Sequence, residues 1–414
     1  MRRMRERCSM NSAHSPMIIC STRRICSTGI CGDGFVASST IKGSFYRPEL
    51  DAVRFFAFLF VFVHHTFQRQ ADWYQKYLHS KPLCQMIASA VNAGGFGLCL
   101  FFALSGYLIG ELLRREKERT GNVRIQAFYR RRMLRILPLY LLGISIGLAV
   151  AACNKQFQRD AVRLFSDVVL LGNWYVVHNG WNDNPMGHLW SISVEGQFYL
   201  FWPWVAKKAG SLGQCAVCLV MIMAANGTLF YLGRIHASLD DRIWANSFVQ
   251  FYMFAAGILV AILLSGRIPE ANWPRRVALM AFALFCWETA SAQFHIKSFG
   301  PAPSAGSLVA GYSLVAVGCA ALLLSLLGSH ERRFPRAILY LGRISYGLYV
   351  YHFIGLRAAE WLTAHYFRFS HRDFLGTMIG LLLTILFAAF SFKYLETPFL
   401  RAKQKIEVIE TVPA

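Results

Sequence analysis

The sequence predicts an all-α, polytopic membrane bundle of about ten transmembrane helices with both termini in the cytoplasm. Hydrophobic residues make up 55% of its 414 residues and charged residues only 16%, against about 25% charged in a typical soluble domain. Apolar runs of membrane length recur along most of the chain, and basic residues are concentrated in alternate segments between them. These observations exclude an ordinary soluble protein.

Ten apolar segments have a length that can cross the hydrocarbon core of a bilayer. If the N-terminus is cytoplasmic, the segments on that side hold 29 Lys and Arg residues and the outer loops hold 11. The positive-inside rule then predicts that both termini are cytoplasmic. The longest outer loop, 153–189, is expected to contain a short interfacial helix near residues 161–171. The ten segments are residues 50–67, 86–112, 136–152, 190–206, 213–232, 247–264, 277–293, 305–327, 345–364 and 374–395.

The predicted membrane domain covers residues 46–400 and has a tail on either side. Residues 1–45 are basic and rich in Ser, Thr and Gly, which predicts a disordered cytoplasmic tail, and residues 401–414 form a second, short one. The net charge of +21 is spread between apolar segments, which argues against nucleic-acid binding. The eleven cysteines indicate no disulfide framework, and those of the first tail fit no common zinc spacing. We expect no metal and no permanently bound cofactor.

The first membrane segment, LDAVRFFAFLFVFVHHTF, carries an acid, an arginine and two histidines. A charged residue at the centre of a membrane helix costs about 2.5 to 3.5 kcal/mol, so such residues are typical of functional sites. Eleven residues make three turns plus about 20°, which places Arg54 and His65 on one face about 16 Å apart, while His64 points about 100° away. Asp51, one turn before Arg54, can pair with it. The alternative is that these residues only mark the headgroup level at the two helix ends.

Arg131, Arg132 and Arg135 lie just before the third membrane segment. Arg132 and Arg135 are three residues apart and would share a helical face, where two guanidinium groups can bind phosphate bidentately. A cytoplasmic donor that carries phosphate would suit them. The alternative is that these arginines only control topology and contact lipid headgroups.

Glu195 is the exceptional polar residue of the fourth membrane segment. A carboxylate inside an aromatic membrane helix is costly unless it is hydrogen-bonded or faces a polar cavity. His188 precedes Glu195 by seven residues and would lie about 20° from it around a helix that began early enough. The sequence therefore indicates that Glu195 is a site residue.

Other polar residues in the membrane segments have simpler interpretations. Ser105 lies beside small residues that let helices approach closely, so its expected role is packing. Tyr349 and His352 are three residues apart and share a face of the ninth segment. Glu396 is expected to cap the last helix at the cytoplasmic edge.

Five segments, taken together and in this order, resemble the membrane-bound acyltransferase 3 family, whose bacterial members acylate cell-envelope and exported carbohydrates. In the first segment the family has an Asp, an Arg and a histidine eleven residues after that Arg, which selects His65 over His64. One departure is Gly196, where the family often has a second acid. The other matching segments are FFALSGYLI, RRRMLRILPLY, HLWSISVEGQFYLFWP and ISYGLYVYHF.

The resemblance implies an O-acetyltransferase that uses acetyl-CoA or another acyl-CoA as donor. The acceptor would be a polysaccharide, lipopolysaccharide or other glycolipid, and the protein would span the bacterial inner membrane. His65 would act as general base or as a nucleophile that forms an acyl-histidine. A transporter or flippase of an envelope precursor, with a proton relay in the membrane, is the alternative.

The resemblance also implies roles for the other candidate residues. Glu195 would set the tautomer of the His65 imidazole or bind sugar hydroxyls. Arg54, braced by Asp51, would orient the donor or screen its negative charge. The residues that would hold CoA phosphates are Arg131, Arg132 and Arg135, and those expected to bind the acceptor are His188, Tyr349 and His352.

Overall fold

A computed structural model describes residues 45–153, 157–181, 183–297, 302–329, 334–367, 374–406 and 409. In those residues every regular element is helical. The predicted N-terminal tail and its cysteines lie outside the described residues, except for Phe45, and so does most of the C-terminal tail after Ile406.

Sixteen α-helices are present in the described part of the chain, and the all-helical class predicted from the sequence is confirmed. They are α1 (Pro48–Thr66), α2 (Ala71–Gln75), α3 (Lys81–Ala93), α4 (Gly97–Thr120), α5 (Ile125–Cys153), α6 (Phe157–Val168), α7 (Gly172–Asn179), α8 (Trp190–Lys208), α9 (Ser211–Arg234), α10 (Ser247–Leu264), α11 (Trp273–Ala292), α12 (Ala305–Leu326), α13 (Arg336–Arg343), α14 (Ser345–Leu362), α15 (Phe374–Ser391) and α16 (Thr397–Gln404). Short 3-10 or π turns lie at Gly94–Phe96, Gly187–Leu189, Leu239–Ile243, Thr363–Phe367 and Phe392–Glu396.

Six helical stretches in the described residues are long and apolar enough to cross a membrane, so the chain is an integral membrane protein by these features. The stretches are Lys81–Thr120, Ile125–Cys153, Ser211–Arg234, Ser247–Leu264, Ala305–Leu326 and Phe374–Gln404. The other four predicted segments coincide with α1, α8, α11 and α14, which are each 18 to 20 residues long. Charged side chains such as Asp51, Glu195 and Arg357 lie in these four helices, which makes them less apolar.

Glycines bring the backbones of α4 and α10 into direct contact. A Cβ atom added at Gly106 would collide with the backbone carbonyl of Phe254, and one at Gly257 would collide with that of Ala103. Small residues allow this close approach in membrane proteins. The predicted packing role of the small residues in this segment is therefore confirmed.

A third close contact fixes α13 against the start of α1. A Cβ atom at Gly342 would overlap the backbone of Asp51. Because the next residue is Arg343, this contact places a guanidinium group beside the Asp51 carboxylate, at 3.8 Å.

The helix expected in the long loop is α6, which has two unlike faces. Phe165 is 68% exposed, and Val162 is exposed as well, whereas Arg163 and Asp167 are fully buried. Apolar exposure on one side is typical of a helix that lies in a membrane interface. At twelve residues α6 is too short to span the bilayer.

The buried carboxyl of Asp167 makes the stability of the folded protein depend on pH. Burial raises the pKa of its carboxyl to about 7, although the Arg163 charge acts in the opposite direction. The folded protein therefore holds this proton more tightly than the unfolded chain, where an Asp pKa is about 3.9. This contribution to stability is complete below pH ~4 and is lost as pH rises towards ~7, at up to about 1.4 kcal/mol per pH unit.

We expect the unfolding temperature of detergent-purified protein to fall between pH 5 and pH 8, and to fall less steeply in Asp167→Asn, which cannot ionise. Intrinsic fluorescence during heating measures this. Asp72→Asn, at an exposed position in α2, is the matched control and should follow the wild-type slope. Equal slopes in Asp167→Asn and wild type would contradict the prediction.

Candidate active site

Three cavities follow one another through the bundle. The arginine cavity, of about 150 Å³, shares Arg54, Arg132, Arg135 and two further residues with a central cavity of about 100 Å³. The central cavity in turn shares Leu98 and Tyr349 with a histidine cavity of about 600 Å³. The first and third cavities have no described lining residue in common, so the central cavity separates them.

The arginine cavity has a strong excess of positive charge. Among its described lining residues, seven are basic and three are acidic. Such a surface attracts an anion, and guanidinium groups bind phosphate well. The basic residues are Arg47, Arg54, Arg131, Arg132, Arg135, Arg343 and Lys403, and the acidic ones are Asp51, Glu116 and Glu396.

Asp51 holds Arg54 in place at the wall of this cavity. Arg54 Nη1 donates to Asp51 Oδ1, and the Tyr46 hydroxyl donates to Oδ2 at 3.0 Å. Arg343 Nη2 donates to the same hydroxyl at 2.8 Å. The pairing expected from the spacing of Asp51 and Arg54 is therefore present, and Tyr46 and Arg343 are additions that the sequence did not reveal.

The three predicted phosphate-binding arginines on α5 differ in their surroundings. Arg132 and Arg135 both line the arginine and central cavities, as their three-residue spacing predicts. The guanidinium of Arg132 lies 5.4 Å from the centre of the Tyr199 ring, at a cation–π distance. Arg131 Nη2 donates to Glu116 at 2.7 Å, so it lines the arginine cavity while paired with an acid.

Glu396 does not occupy an exposed helix end. The residue is buried, lines the arginine cavity, and its Oε1 has no hydrogen-bond partner in the described part of the chain. The expectation of a simple interfacial cap is wrong, because the π turn after α15 directs this side chain into the bundle.

Glu195 lies in the central cavity, between the arginines and Tyr349. Its Oε1 accepts a hydrogen bond from Ser105 Oγ at 2.6 Å and another from the Tyr199 hydroxyl. Glu195 lines the central cavity, but it does not line the histidine cavity that holds His65. Its expected contact with the His65 imidazole is not formed. Ser105, for which only a packing role is expected from the sequence, also lines this cavity and donates to Glu195.

Tyr349 stands at the boundary between the central and histidine cavities. Its hydroxyl lies 2.7 Å from Ser191 Oγ and donates to the backbone carbonyl of His188 at 3.2 Å. These contacts connect α14 with the start of α8. The Tyr349 side chain therefore forms part of the wall of both cavities.

The two adjacent histidines of α1 have different environments. His64 is buried, its Nδ1 lies 3.1 Å from the Val91 carbonyl, and its ring packs against Gly95. His65 is exposed to the histidine cavity, with its ring centre 5.4 Å from that of His352 and 4.8 Å from that of Phe353. The geometry thus favours His65 as the reactive imidazole.

His188 and His352 complete a cluster of three imidazoles with His65. Their ring centres are 4.8 Å apart, and each has a buried Nε2 without a hydrogen-bond partner in the described residues. Nδ1 of His188 lies 3.1 Å from the Pro185 carbonyl, and Nδ1 of His352 lies 2.5 Å from the Tyr349 carbonyl. A carbonyl accepts only, so each Nδ1 carries the proton and each Nε2 is left as an acceptor in the neutral ring.

His188 does not share a helix with Glu195. It lies in the 3-10 turn Gly187–Leu189, and α8 begins only at Trp190. The condition for aligning these two side chains about 20° apart, a helix that begins before His188, is therefore not met. The turn places His188 in the histidine cavity, whereas Glu195, one and a half turns into α8, lines the central one.

A family described as an acyltransferase domain, acyltransferase 3, matches residues 47–393. The chain belongs to the acyltransferase 3 family. The match spans α1, α4, α5, α8 and α14, which carry the five segments of the resemblance. The family assignment confirms the resemblance and favours acyl transfer over the transporter alternative.

Two curated proteins to which this chain is similar come from Staphylococcus aureus. One, named "Putative O-acetyltransferase SAS0844" in strain MSSA476, is 23% identical over 405 residues, which cover 89% of this chain and 59% of that protein. Another, O-acetyltransferase OatA of strain NCTC 8325 / PS 47, is 30% identical over 171 residues, covering 39% of this chain and 24% of that protein. The chain thus spans under two thirds of the length of these relatives. No solved structure matches it significantly.

Proposed function

We propose that this acyltransferase moves an acetyl or other short acyl group from cytoplasmic acyl-CoA to a hydroxyl of a cell-envelope or exported carbohydrate. It would cross the bacterial inner membrane ten times, with both termini in the cytoplasm. The series of cavities that leads from the arginines to His65 is the observation that carries this proposal. The relatives named as O-acetyltransferases support the acetyl group and the ester product.

The arginine cavity suits the phosphates of CoA. Arg132 and Arg135 lie at its junction with the central cavity, and Arg54 joins them from α1. Three guanidinium groups can bind several phosphate oxygens at once. The nucleotide end of the donor would therefore stay at this end of the bundle. The distribution of basic residues predicts that this end faces the cytoplasm.

The central cavity suits the pantetheine arm, which is a narrow chain with two amide groups. Its polar wall offers one carboxylate, Glu195, together with hydroxyl groups from Ser105, Ser191 and Tyr349. The carboxylate can accept an amide N–H, and a hydroxyl can donate to an amide carbonyl. These hydrogen bonds would hold the pantetheine arm so that the thioester extends past Tyr349 towards His65.

Two chemical routes are available at His65. In the first, the imidazole takes the proton of the acceptor hydroxyl while the hydroxyl oxygen forms a bond to the acyl carbon. The C–S bond of the thioester then breaks, and the imidazolium gives the proton to the departing thiolate. In the second, the imidazole nitrogen itself attacks the acyl carbon and releases CoA. The acceptor hydroxyl then attacks the acyl-imidazole, and the imidazole takes that proton.

The side on which acyl-CoA is used tests the proposal directly. CoA esters do not cross membranes, so labelled acetyl-CoA added to sealed vesicles reaches one face only. We expect label in envelope carbohydrate from inverted vesicles and none from right-side-out vesicles. Transfer from right-side-out vesicles, or transfer equal to that of vesicles without the protein, would contradict the proposal.

Glu195→Gln should weaken donor binding without removing chemistry. Gln keeps the size of the side chain but replaces one acceptor oxygen with a donor, so one hydrogen bond to the pantetheine arm is lost. We expect KM for acetyl-CoA to rise about 2- to 10-fold with a smaller change in kcat. Initial rates over a donor concentration series measure this.

The matched control for Glu195→Gln is Glu118→Gln. Glu118 is an exposed acid near the end of α4 that lines none of the three cavities. Its KM should stay at the wild-type value. If kcat of Glu195→Gln fell to background while KM stayed unchanged, Glu195 would act in the chemical step and not in donor binding.

A further inference from the structure

Tyr349 is the one polar residue among the described residues that line both the central and the histidine cavity. The other residue that these cavities share is Leu98, whose side chain has no hydrogen-bond donor. In the proposed transfer, the thioester extends through this boundary to reach His65. The Tyr349 hydroxyl is therefore the side-chain donor that the thioester meets there.

The Tyr349 side chain connects the central cavity with the imidazole cluster. Its hydroxyl oxygen lies 2.7 Å from Ser191 Oγ, and Ser191 lines the central cavity. Its ring centre lies 5.6 Å from that of His352, and the His352 ring centre lies 5.4 Å from that of His65. A single ring, that of His352, thus contacts both Tyr349 and the proposed reactive imidazole.

The hydroxyl proton of Tyr349 can turn to a new acceptor without leaving a buried carbonyl unpaired. The His188 carbonyl accepts from Tyr349 at 3.2 Å and from Ser191 Oγ at 3.1 Å. If the Tyr349 proton turns away, the bond from Ser191 remains. Because an unpaired buried carbonyl is costly, this second donor lowers the cost of the rotation.

Both routes at His65 create negative charge on the acyl oxygen. When the acceptor oxygen or the imidazole nitrogen bonds to the acyl carbon, the π electrons of the carbonyl move onto its oxygen. They return when the C–S bond breaks and the thiolate leaves. A donor that is fixed in place before the reaction stabilises this oxyanion, because a hydrogen bond to a charged acceptor is about twice as strong as a neutral one.

Packing fixes the Tyr349 side chain in this position. The residue is 8% exposed, and its ring centre lies 6.2 Å from that of Phe101 and 5.2 Å from that of His188. The hydroxyl therefore needs only a rotation of its proton to meet an oxyanion at the boundary between the two cavities.

We propose that the Tyr349 hydroxyl is the oxyanion donor of this acyltransferase. It donates a hydrogen bond to the acyl oxygen of the tetrahedral intermediate and keeps its proton throughout. This inference rests on the proposed function, because it names a catalytic group for the same transfer. It assigns Tyr349 to the carbonyl of the donor, in place of the acceptor contact expected from the sequence.

Tyr349→Phe removes the hydroxyl and keeps the ring. We expect kcat for acetyl transfer in inverted vesicles to fall about 10²- to 10³-fold, the usual effect of losing one oxyanion donor, with a much smaller change in KM for acetyl-CoA. A fall of less than about tenfold overturns the inference. A rise of KM with unchanged kcat would assign the hydroxyl to donor binding and also overturns it.

Tyr252→Phe is the matched control. The Tyr252 hydroxyl donates to Ser313 Oγ at 3.0 Å between α10 and α12, and neither residue lines any of the three cavities. This variant loses a hydrogen bond of the same kind, so it should keep the wild-type kcat. Unfolding temperatures and immunoblots of both variants correct the rates for the amount of folded protein.

Ser191→Ala separates the Tyr349 proton from the hydrogen bond between the two hydroxyls. This variant removes the partner at 2.7 Å but leaves the Tyr349 hydroxyl in place. Its kcat should fall much less than that of Tyr349→Phe. Equal losses in the two variants would mean that the reaction needs only their mutual contact, which overturns the inference.

Two ketone analogues of acetyl-CoA test the same contact without turnover. Both have a CH₂ group between the carbonyl carbon and the sulfur, so no thioester bond is present. S-acetonyl-CoA keeps a planar carbonyl, whereas S-(3,3,3-trifluoro-2-oxopropyl)-CoA adds imidazole or hydroxide at its carbonyl carbon, which turns the oxygen into an oxyanion. Competition with labelled CoA for the full-length protein in nanodiscs measures both affinities.

Wild type should bind the trifluoromethyl ketone about 10²-fold more tightly than the methyl ketone, because only the former resembles the tetrahedral intermediate. Tyr349→Phe should lose most of this preference, and Tyr252→Phe should retain it. A merely structural role of Tyr349 would weaken the binding of both ketones alike. An unchanged preference in Tyr349→Phe, or no preference in wild type, overturns the inference.

Failure of this inference is distinct from failure of the proposed function. If inverted vesicles transfer acetyl groups and Tyr349→Phe transfers them as fast as wild type, the enzyme activity is retained and the oxyanion role is rejected. If wild-type vesicles transfer none although the ketone preference depends on Tyr349, the contact with the carbonyl is retained and the proposed function is rejected.

Discussion

His65→Ala is expected to lower kcat for acetyl transfer by about 10² to 10⁴-fold, the usual contribution of a positioned acid–base or nucleophilic group. His65 is exposed to the histidine cavity, and the series of cavities provides a route from the arginines to its ring. Transfer of labelled acetyl groups to envelope carbohydrate in inverted vesicles measures the loss. Immunoblots of the same vesicles correct for the amount of protein.

His64→Ala provides a matched control one residue away. His64 is buried against the 3-10 turn Gly94–Phe96 and contacts a backbone carbonyl, so its loss should lower the unfolding temperature. Activity per folded molecule should remain within a few-fold of wild type. If His64→Ala were inactive and His65→Ala active at equal expression, the assignment of the two histidines would be reversed.

Labelled acetyl-CoA without acceptor separates the two routes at His65. The nucleophilic route leaves label on the protein, and His65→Ala abolishes that label. The general-base route leaves none, because no bond forms between the acyl group and the imidazole. Release of CoA in the absence of acceptor and without labelled protein would indicate hydrolysis by water that enters the histidine cavity.

Helical periodicity predicted the contacts that lie within one helix. Asp51 pairs with Arg54, and Arg132 and Arg135 share the wall of two cavities, because residues three apart on an α-helix face the same way. Arg54 and His65 line successive cavities along α1, as eleven residues of helix require. The family resemblance, in turn, selected His65 over His64, and the burial of His64 gives that choice a physical reason.

Contacts between helices could not be predicted in the same way. Ser105 and Glu195 are 90 residues apart in the chain, and their hydrogen bond depends on how α4 packs against α8. His188 lies in a 3-10 turn before α8, and helical spacing from Glu195 does not give the direction of a side chain outside the helix. Glu396 was misjudged for a similar reason, since a π turn shifts its direction.

Arg135→Lys is the second change with a large expected effect, and it tests the donor site at the other end of the bundle. Lys keeps the charge but loses the planar fork that binds two phosphate oxygens. Loss of one or two charge-assisted hydrogen bonds should raise KM for acetyl-CoA about 10- to 100-fold, with a smaller effect on kcat. Arg130→Lys, five residues earlier at an exposed position that lines none of the three cavities, should keep the wild-type KM.

A truncated donor without phosphate tests whether Arg135 acts by binding the phosphates of CoA. Acetyl-pantetheine has the thioester and the amides but lacks the nucleotide and its phosphates, so it gains nothing from the guanidinium fork. Wild type and Arg135→Lys should therefore use it equally, and poorly, while Glu195→Gln should still impair its use because the amides remain. Arg135→Lys could instead impair the use of acetyl-pantetheine as much as the use of acetyl-CoA. Because acetyl-pantetheine has no phosphate, that result would mean that Arg135 acts on the thioester or on the fold.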